Sequence, residues 1–220
     1  MTEADVEGSA LYPLEEANFF AFPIPEGAIG RSGGIVSIDV RPLEIPEVKV
    51  ISVKKFGDSR GFFSETYNKK QFAEAGIGLD FVQDNHSFSH SLGTLRGLHY
   101  QGYPYAQDKL VRVLSGRILD IAVDIRRKSA TFGKWVAAEI SAEKWNQILV
   151  PVGFAHGTLA LEPNTQLIYK VTNYYSPQHD FGIRWNDPDL AITWLLRDDQ
   201  IVLSDKDQTQ PFFKDVVNWL

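Results

Sequence analysis

The feature that most constrains this chain is a succession of short β-rich runs that begins near Val48. Turn-forming residues separate these runs at intervals of roughly ten residues, a spacing typical of an all-β sandwich or barrel. With 44% hydrophobic residues, the 220-residue chain has enough apolar material for one domain with an appendage. The later runs that predict strands are Trp135–Ile140, Gln147–Val150, Gly157–Leu161 and Gln166–Thr172.

Two adjacent runs predict a β-hairpin. Lys109–Leu114 and Arg117–Ile125 are both β-rich, and the two residues between them, Ser115 and Gly116, form a polar turn. Because side chains alternate along a strand, the second run divides into two faces. One face carries Leu119, Ile121, Val123 and Ile125, and the other carries Asp120, Ala122 and Asp124.

Helices are predicted to be few and short. One candidate is Lys69–Ala75, with Asn68 placed to cap its first turn. A second candidate is Asp207–Trp219, near the end of the chain. The sequence contains no repeat, no low-complexity tract and no GxGxxG or P-loop pattern.

The first 45 residues differ in composition from the rest. They hold eight acidic and two basic residues, so residues 46–220 are neutral with 20 of each. Repeated prolines and glycines predict an irregular N-terminal extension over residues 1–45, ahead of a single domain over residues 46–220. The aromatic residues Phe19, Phe20 and Phe22 favour an extension that wraps over a surface of its own chain or of a partner. Disorder of the first dozen residues is the alternative.

Charge and composition argue against several classes of function. A domain without a basic excess has little to neutralise phosphates, so duplex nucleic acid is not an expected partner. Cysteine is absent, which excludes a disulfide framework, a thiolate metal site and a cysteine nucleophile. The acidic N-terminus lacks the pattern of a signal peptide, and no apolar run is long enough to span a membrane. We therefore expect a cytoplasmic protein without a membrane partner.

Several predicted strands carry polar residues that packing alone does not require. In Thr94–Gln101, strict alternation puts His99 and Gln101 on one face and Arg96 on the other. A small barrel can bring such side chains together at one mouth. The other polar residues in similar strand contexts are Lys109, His156 and Tyr169.

A short motif narrows the fold further. Pro151, Gly153 and His156 have the Pro-x-Gly-x-x-His spacing of the second half-motif of cupins, which are jelly-roll barrels. Metal-binding cupins also need a His-x-His and a glutamate, whereas this chain has only His99 and Gln101 at that spacing. Because transition-metal sites usually need three or four protein ligands, the sequence predicts a cupin-type jelly roll without a metal. A few short helices and the N-terminal extension complete the predicted fold.

Eight segments of the chain match one protein family in the same order. They are Phe56–Tyr67, Phe81–Ser87, Leu95–Gln101, Ala106–Arg112, Val123–Arg126, Ser129–Gly133, Pro151–Gly157 and Tyr169–Pro177. Together they resemble the dTDP-4-dehydrorhamnose 3,5-epimerase family from about residue 48 to about residue 212. Eight ordered segments are a more specific signal than any one short motif.

The resemblance implies an isomerase that needs no cofactor. The implied substrate is a dTDP-linked 4-keto-6-deoxyhexose, whose ketone acidifies the protons on carbons 3 and 5. A base removes one proton to give an enolate, and an acid returns a proton to the opposite face. The implied reaction converts dTDP-4-dehydro-6-deoxy-D-glucose to dTDP-4-dehydro-L-rhamnose.

The resemblance also implies four catalytic roles. His99 matches the general base, a task suited to a side chain that titrates near neutral pH. Asp207 matches the carboxylate that fixes the tautomer of that imidazole. Tyr169 matches the acid on the other side, although the residues alone also allow a core tyrosine. Lys109 matches the group near the keto oxygen, where an ammonium stabilises an enolate.

Further positions match substrate contacts. Arg96 matches a diphosphate-binding arginine, for which the guanidinium fork has suitable geometry. Tyr175 matches the ring that stacks on thymine. Without the resemblance, the charged residues at positions 60 and 206 would be interpreted as surface charges. The remaining matched contacts are Arg60, Glu65, Gln83, Asp84, Asn85, His156, Asp180 and Lys206.

Two positions depart from the family pattern. Asp180 stands where the family often has glutamate. Asp108 precedes Lys109 where a glycine is common. A carboxylate next to the lysine is expected to raise the pKa of its ammonium or to pull it out of line.

Other functions stay open at this stage. A relative can epimerise one carbon only, act on another nucleotide sugar, or move the ketone along the ring as a keto-isomerase. A sugar-binding jelly roll is the non-enzyme alternative, and the combination of base, acid and oxyanion residues argues against it. The resemblance implies a homodimer in which the N-terminal part of each barrel adds strands to the partner's sheet and contributes to its site.

Overall fold

The computed structural model of the protein describes residues 38–216. Residues 1–37, with Phe19, Phe20 and Phe22, lie outside the described residues, as do residues 217–220 at the end of the second predicted helix. The strands are β1 (Ile38–Pro42), β2 (Lys49–Val53), β3 (Phe56–Asp58), β4 (Gly61–Phe63), β5 (Gln83–Ser89), β6 (Leu95–Gln101), β7 (Lys109–Ser115), β8 (Arg117–Asp124), β9 (Trp135–Ser141), β10 (Asn146–Val150), β11 (Phe154–Ala160), β12 (Thr165–Val171) and β13 (Asp180–Gly182). The helices are α1 (Lys69–Glu74) and α2 (Asp205–Gln208), with 3₁₀ turns at Pro177–His179, Asp198–Gln200 and Phe213–Asp215.

Two antiparallel sheets pack face to face. One has six strands in the order β1-β2-β10-β7-β12-β5, and the other has five in the order β13-β6-β11-β8-β9. Apolar side chains from both inner faces fill the space between them, among them Val111 and Ile148 from the first sheet and Ile118 and Ala122 from the second. This arrangement confirms the predicted all-β, cupin-type jelly roll.

Each sheet is also covered on its outer face. Helix α1 packs Phe72 against Ile51 and Leu110 of the six-stranded sheet. The chain after β13 covers the five-stranded sheet, where Trp185 and Trp194 join its outer cluster. Burial of apolar surface stabilises a fold by about 25 cal/mol per Å², so both covers contribute to stability. The second cover also carries α2 back towards β6.

The predicted helix at Lys69–Ala75 is confirmed as α1. The side-chain oxygen of Asn68 accepts hydrogen bonds from the backbone N–H groups of Lys70 (3.0 Å) and Gln71 (3.2 Å). These bonds satisfy donors that the first turn of a helix leaves without a backbone partner.

The second predicted helix is wrong as a continuous element. Helix α2 ends at Gln208, and a separate 3₁₀ turn follows at Phe213–Asp215. Pro211 lies between them, and a proline has no N–H to continue a helical ladder. None of the helices within residues 38–216 is long and apolar enough to cross a membrane.

Part of the predicted N-terminal extension belongs to the fold. Strand β1 pairs with β2 along its whole length, with Ile38 opposite Val53 and Pro42 opposite Lys49. Ile45 lies in the core between the sheets. An edge strand tolerates a terminal proline and exposed charges, which is why composition alone hid it.

The predicted hairpin of residues 109–125 is wrong. Strand β7 pairs with β10 and β12, whereas β8 pairs with β9 and β11, so the two runs lie in different sheets. Gly116, with φ of +79°, turns the chain from one sheet to the other. Both strands are central in their sheets, and β8 is buried from Ile118 to Asp124. A two-residue turn specifies a reversal of direction, but not whether the partners share a sheet.

Strand β6 departs from strict alternation. Between β6 and β11 the register shifts, since His99 lies opposite His156 but Arg96 lies opposite Thr158. Gly97 has φ of +134°, and a Cβ there would lie 2.6 Å from the Cα of Gly157, so only glycine fits. The predicted placement of Arg96 opposite to His99 is therefore wrong, because the extra residue turns both side chains to the inner face.

Candidate active site

A cavity of about 290 Å³ lies between the inner faces of the two sheets. Both sheets and α2 contribute to its walls, so no single segment of the chain forms it. Six residues predicted from the sequence line it: Arg96, His99, Lys109, His156, Tyr169 and Asp207. Four lining residues were not predicted: Ser87, Thr158, Leu167 and Ser204.

A histidine–aspartate pair forms one wall of the cavity. The Nε2 atom of His99 on β6 lies 2.5 Å from Oδ1 of Asp207 on α2. The hydroxyl of Ser204, the residue before α2, donates to Oδ2 of Asp207 at 2.8 Å. The side chain of His99 is 28% exposed and that of Asp207 only 4%, so the carboxylate is withdrawn behind the imidazole.

The surroundings of Asp207 keep it ionised. Burial by itself raises the pKa of this carboxyl. The hydrogen bond and charge of His99, the Ser204 hydroxyl and the charge of Lys206 outweigh burial and lower the pKa of Asp207 below its ordinary value. An ionised aspartate accepts a hydrogen bond from the N–H of one imidazole nitrogen and leaves the other nitrogen able to accept a proton.

Lys109, the first residue of β7, is a cationic group of the cavity, as is Arg96. Burial lowers the pKa of Lys109 to about 8, against the charges of Asp180 and Asp120, which raise it. Lys206 lowers the same pKa further. The ammonium donates a hydrogen bond to the carbonyl oxygen of His99, at 3.5 Å. Such an ammonium has bonding capacity left for an anionic oxygen.

Tyr169 projects into the cavity from β12, in the sheet that faces His99. Burial raises the pKa of Tyr169, as does Asp180, while Arg96 opposes the shift. The phenol therefore keeps its proton at neutral pH and can act as an acid. Arg96 itself donates to the carbonyl oxygen of Phe88 at 3.0 Å and presents the rest of its guanidinium to the cavity.

A second histidine–aspartate pair borders the same cavity, which His156 lines. The Nε2 atom of His156 lies 3.0 and 2.9 Å from the two carboxylate oxygens of Asp120. Asp120 is 0% exposed, on the strand next to that of His156. Sequence reasoning placed Asp120 on a strand face without recognising it as a site residue. A charged residue within an apolar run was the available signal, because a buried carboxylate needs a partner.

Three predicted substrate contacts form a separate polar cluster. The hydroxyl of Tyr175 donates to Oδ2 of Asp180 at 3.0 Å, and Nζ of Lys206 lies 2.5 Å from the same oxygen. The hydrogen bond to Asp180 raises the pKa of Tyr175, and burial adds to the effect. Asp180 opens β13, which pairs with β6, so the cluster lies close to the strand that bears His99.

Strand β5 separates its three predicted site residues. Gln83 and Asn85 share a face of β5 with Ser87, and the Gln83 amide donates to Oδ1 of Asn85 at 2.9 Å. Of these three residues, only Ser87 lines the cavity. Asp84 points to the other side, where Nζ of Lys170 lies 2.8 Å from its carboxylate. The structure therefore does not bring Asp84 to the cavity, as strand alternation requires.

Arg60 and Glu65 also lie away from the cavity of their own chain. Arg60 is in the turn between β3 and β4, 87% exposed, and 2.5 Å from the carboxylate of Asp58. Glu65 accepts a hydrogen bond from the Asn68 amide at 2.6 Å, beside the start of α1. Neither residue lines the cavity of this chain.

Asp108 does not act on Lys109 as expected. Its carboxylate accepts the backbone N–H of Val152 at 3.0 Å and the hydroxyl of Thr172 at 2.9 Å. The pKa of Lys109 is lowered rather than raised, and the carboxylates that oppose this shift are Asp180 and Asp120. Bonds to Val152 and Thr172 thus hold the Asp108 carboxylate away from the neighbouring ammonium.

The two cavity histidines each bond an aspartate. Within residues 38–216, no three His, Cys, Asp or Glu side chains form a group that could hold a metal ion. The sequence-based expectation of a site without a metal stays a prediction.

Comparison with known proteins identifies close similarities over most of the chain. The family model described as dTDP-4-dehydrorhamnose 3,5-epimerase matches residues 42–215. A dTDP-4-dehydrorhamnose 3,5-epimerase from Sinorhizobium fredii is 50% identical over 169 residues, which cover 77% of this chain and 86% of the relative.

Solved structures agree in fold as well as in sequence. A dTDP-6-deoxy-D-glucose-3,5-epimerase from Legionella pneumophila, in complex with dTDP-4-keto-L-rhamnose, is 44% identical with a TM-score of 0.78, covering 82% of this chain and 95% of that chain. A 3'-monoepimerase from Streptomyces bikiniensis, in complex with dTDP-quinovose, is 32% identical with a TM-score of 0.72, covering 78% and 86%.

Proposed function

The chain belongs to the dTDP-4-dehydrorhamnose 3,5-epimerase family, and on that premise we propose that it is a cofactor-independent isomerase that epimerises dTDP-4-dehydro-6-deoxy-D-glucose at carbons 3 and 5. The product is dTDP-4-dehydro-L-rhamnose. The observation that carries the proposal is the convergence of His99, Lys109 and Tyr169 on one cavity, with Asp207 behind the histidine.

Proton removal is the role of His99. The ionised Asp207 holds one imidazole nitrogen by a 2.5 Å hydrogen bond, which fixes the tautomer and leaves the other nitrogen to take a proton from carbon 3 or carbon 5. The imidazolium that forms is stabilised by the adjacent carboxylate. Tyr169 comes from the facing sheet, so it can return a proton to the other side of the ring.

Stabilisation of the enolate is the role of Lys109. Removal of a proton next to the ketone puts negative charge on the oxygen at carbon 4. An ammonium with a pKa of about 8 still carries its proton at neutral pH and can bond to that oxygen. A group of this kind typically contributes a factor of roughly 10² to 10³ to the rate.

The polar residues around the cavity bind the nucleotide end of the substrate. Arg96 lines the cavity and offers a planar guanidinium for the diphosphate. Tyr175 is exposed and can stack on thymine, while its hydroxyl is held by Asp180 and thereby linked to Lys206. His156, fixed by Asp120, is a further contact for the sugar.

Exchange with solvent tests the proposed reaction directly. The protein is incubated with dTDP-4-dehydro-6-deoxy-D-glucose in deuterated water, and label at carbons 3 and 5 is measured by NMR and mass spectrometry. Deuterium at both carbons is the expected result. No deuterium at either carbon would show that the proposal is wrong.

A mono-epimerase is the second candidate function. The observation that favours it is the similarity to the 3'-monoepimerase from Streptomyces bikiniensis, since one fold is compatible with both outcomes. Label at one carbon only would identify this activity. A 3-keto product would instead identify a keto-isomerase.

A homodimer with exchange of N-terminal strands is also part of the proposal. Strand β1 is at the edge of its sheet, and no strand within residues 38–216 pairs with its outer side, so a strand of another chain can add there. Arg60 lies beside the exposed rings of Phe62 and Phe63 and outside the cavity of its own chain, which suits a residue that reaches a partner's site. Light scattering at micromolar concentration checks this, since a monomeric mass would contradict it. We also propose that the enzyme is cytoplasmic, and cell fractionation tests that location.

A further inference from the structure

Four hydrogen bonds meet at Asp108, the residue before Lys109. Its carboxylate accepts the backbone N–H of Val152 at 3.0 Å and the hydroxyl of Thr172 at 2.9 Å. Its own N–H donates to the same hydroxyl at 2.9 Å, and its carbonyl oxygen accepts the N–H of Thr172 at 3.2 Å. A surface aspartate without a structural task does not require so many partners.

The bonds of Asp108 join three strands at one end of the sheet. Lys109 begins β7, and it lies opposite Val150 at the end of β10 and Val171 at the end of β12. Thr172 directly follows the end of β12, and Val152 is two residues past the end of β10. A neighbouring bond reinforces the junction, since the amide of Gln107 donates to the carbonyl oxygen of Asn173 at 2.7 Å.

This junction lies next to three residues of the proposed reaction. Lys109 follows Asp108 directly, Tyr169 is three residues before Thr172, and His156 is four residues after Val152. All three line the cavity. We propose that Asp108 is a positioning residue, which keeps Lys109 in register with Tyr169 and His156 by clamping the ends of β7, β10 and β12. The inference rests on the proposed function, and Asp108 itself does not line the cavity.

We call the four hydrogen bonds of Asp108 with Val152 and Thr172 the clamp. Loss of the clamp is expected to lower turnover rather than substrate binding. A small displacement of a reacting group can cost up to about 10²-fold in rate, because the bound substrate is no longer in line with it. The two proposed dTDP contacts are held by other bonds. Arg96 donates to the carbonyl oxygen of Phe88, and Tyr175 donates its N–H to Gln83 and its hydroxyl to Asp180. Removal of the clamp should therefore lower kcat about tenfold or more, while the Kd for dTDP changes less than about twofold.

A pair of substitutions at Thr172 tests the clamp with little change of volume. Thr172→Val removes the hydroxyl that both accepts from and donates to Asp108, whereas Thr172→Ser keeps it. The expected result is a kcat about tenfold lower for the valine variant and close to wild type for the serine variant. A valine variant with wild-type kcat, or a serine variant that loses as much, would overturn the proposal.

Asp108→Ala tests the same clamp from its other side, and Asp187→Ala is its control. Asp187 is buried and accepts three backbone N–H bonds, from Asp189, Leu190 and Phe213, in the cover of the other sheet. If the two variants lower Tm by the same amount, only Asp108→Ala should also lower kcat. An equal loss of kcat in both variants would show that Asp108 affects turnover only through stability. The Asp108→Ala/Thr172→Val double variant should lose no more than the worse single variant, and additive losses would contradict a shared clamp.

One measurement is independent of catalysis. Amide hydrogen exchange at Val152 should be faster in Asp108→Ala and in Thr172→Val than in wild type, and unchanged exchange would contradict the clamp itself. Wild-type enzyme without isotope exchange would contradict the proposed function, whereas active wild type with fully active clamp variants would contradict only the role of Asp108.

Discussion

The cavity holds two histidine–aspartate pairs that differ in how far water reaches them. In the first, a 28% exposed imidazole faces the cavity, and a short helix brings the carboxylate from far along the chain. In the second, the imidazole is 10% exposed and the carboxylate 0%, and neighbouring strands hold both. The bond lengths also differ, since His99 makes one contact of 2.5 Å and His156 two of about 3 Å.

The difference teaches that residue types alone do not assign a role. A base must exchange protons with a substrate, which favours the accessible His99. A histidine held by both oxygens of a buried carboxylate is better suited to fixed contacts, because its own motion is restricted. Each of the following predictions tests this division between His99 and His156.

The largest effect is expected for His99→Ala. Loss of a general base typically lowers a rate by roughly 10² to 10⁴-fold, so turnover and deuterium exchange should fall to that extent. Titration calorimetry with dTDP should give an unchanged affinity. His156→Ala is the matched comparison, with a higher KM as its main effect. Exchange that survives His99→Ala but not His156→Ala would reverse the two roles.

Asp207→Asn is expected to lower kcat by about 10²-fold or more, because a neutral amide neither fixes the tautomer nor stabilises the imidazolium. Steady-state kinetics at saturating substrate measures this effect. Asp120→Asn is the matched control at the other pair, with a loss of less than about tenfold. Equal losses in the two variants would remove the distinction between the pairs.

The pH dependence of turnover tests the charge of Lys109, whose ammonium bonds the carbonyl oxygen of His99 and whose pKa is raised by Asp120. Since the pKa of Lys109 is lowered to about 8, its ammonium loses a proton as pH rises through that value. We expect kcat to fall above pH 8, and this limb to be absent in Lys109→Arg, because guanidinium stays charged. Asp120 raises the pKa of Lys109, so Asp120→Asn should move the limb to lower pH. A limb at the same pH in that variant would contradict the coupling.

The smallest effect on turnover is expected for Asp120→Asn. The same substitution is expected to lower the free energy of unfolding. The substitution keeps the shape of a fully buried side chain but changes what His156 can bond. Its cost should be about 1–3 kcal/mol in the free energy of unfolding, measured by urea denaturation. Asp84→Asn, at an exposed carboxylate that pairs with Lys170, should cost less than about 1 kcal/mol. Equal costs would indicate that the buried pair adds little to stability.

Sequence reasoning succeeded where the signal is local. The cap at Asn68, the strands after residue 135 and the jelly-roll motif around His156 each depend on neighbours a few residues away. It failed where one local pattern is compatible with two structures that differ only in contacts between distant residues. The turn at Ser115 and Gly116 predicted a hairpin, and the same turn in the structure carries the chain between sheets.

By itself, the sequence determined the all-β class, helix α1 and, through the resemblance, the residues that the cavity gathers: His99, Lys109, Tyr169 and Asp207. Alternation, capping and motif spacing are properties of short segments, so they can be derived without a structure. Only the tertiary structure decided that Arg96 shares a face with His99, that Asp120 pairs with His156, and that Asp84 and Arg60 lie away from the cavity. Those outcomes depend on a register shift between strands and on which sheet each strand joins, and both are set by packing between residues far apart in the chain.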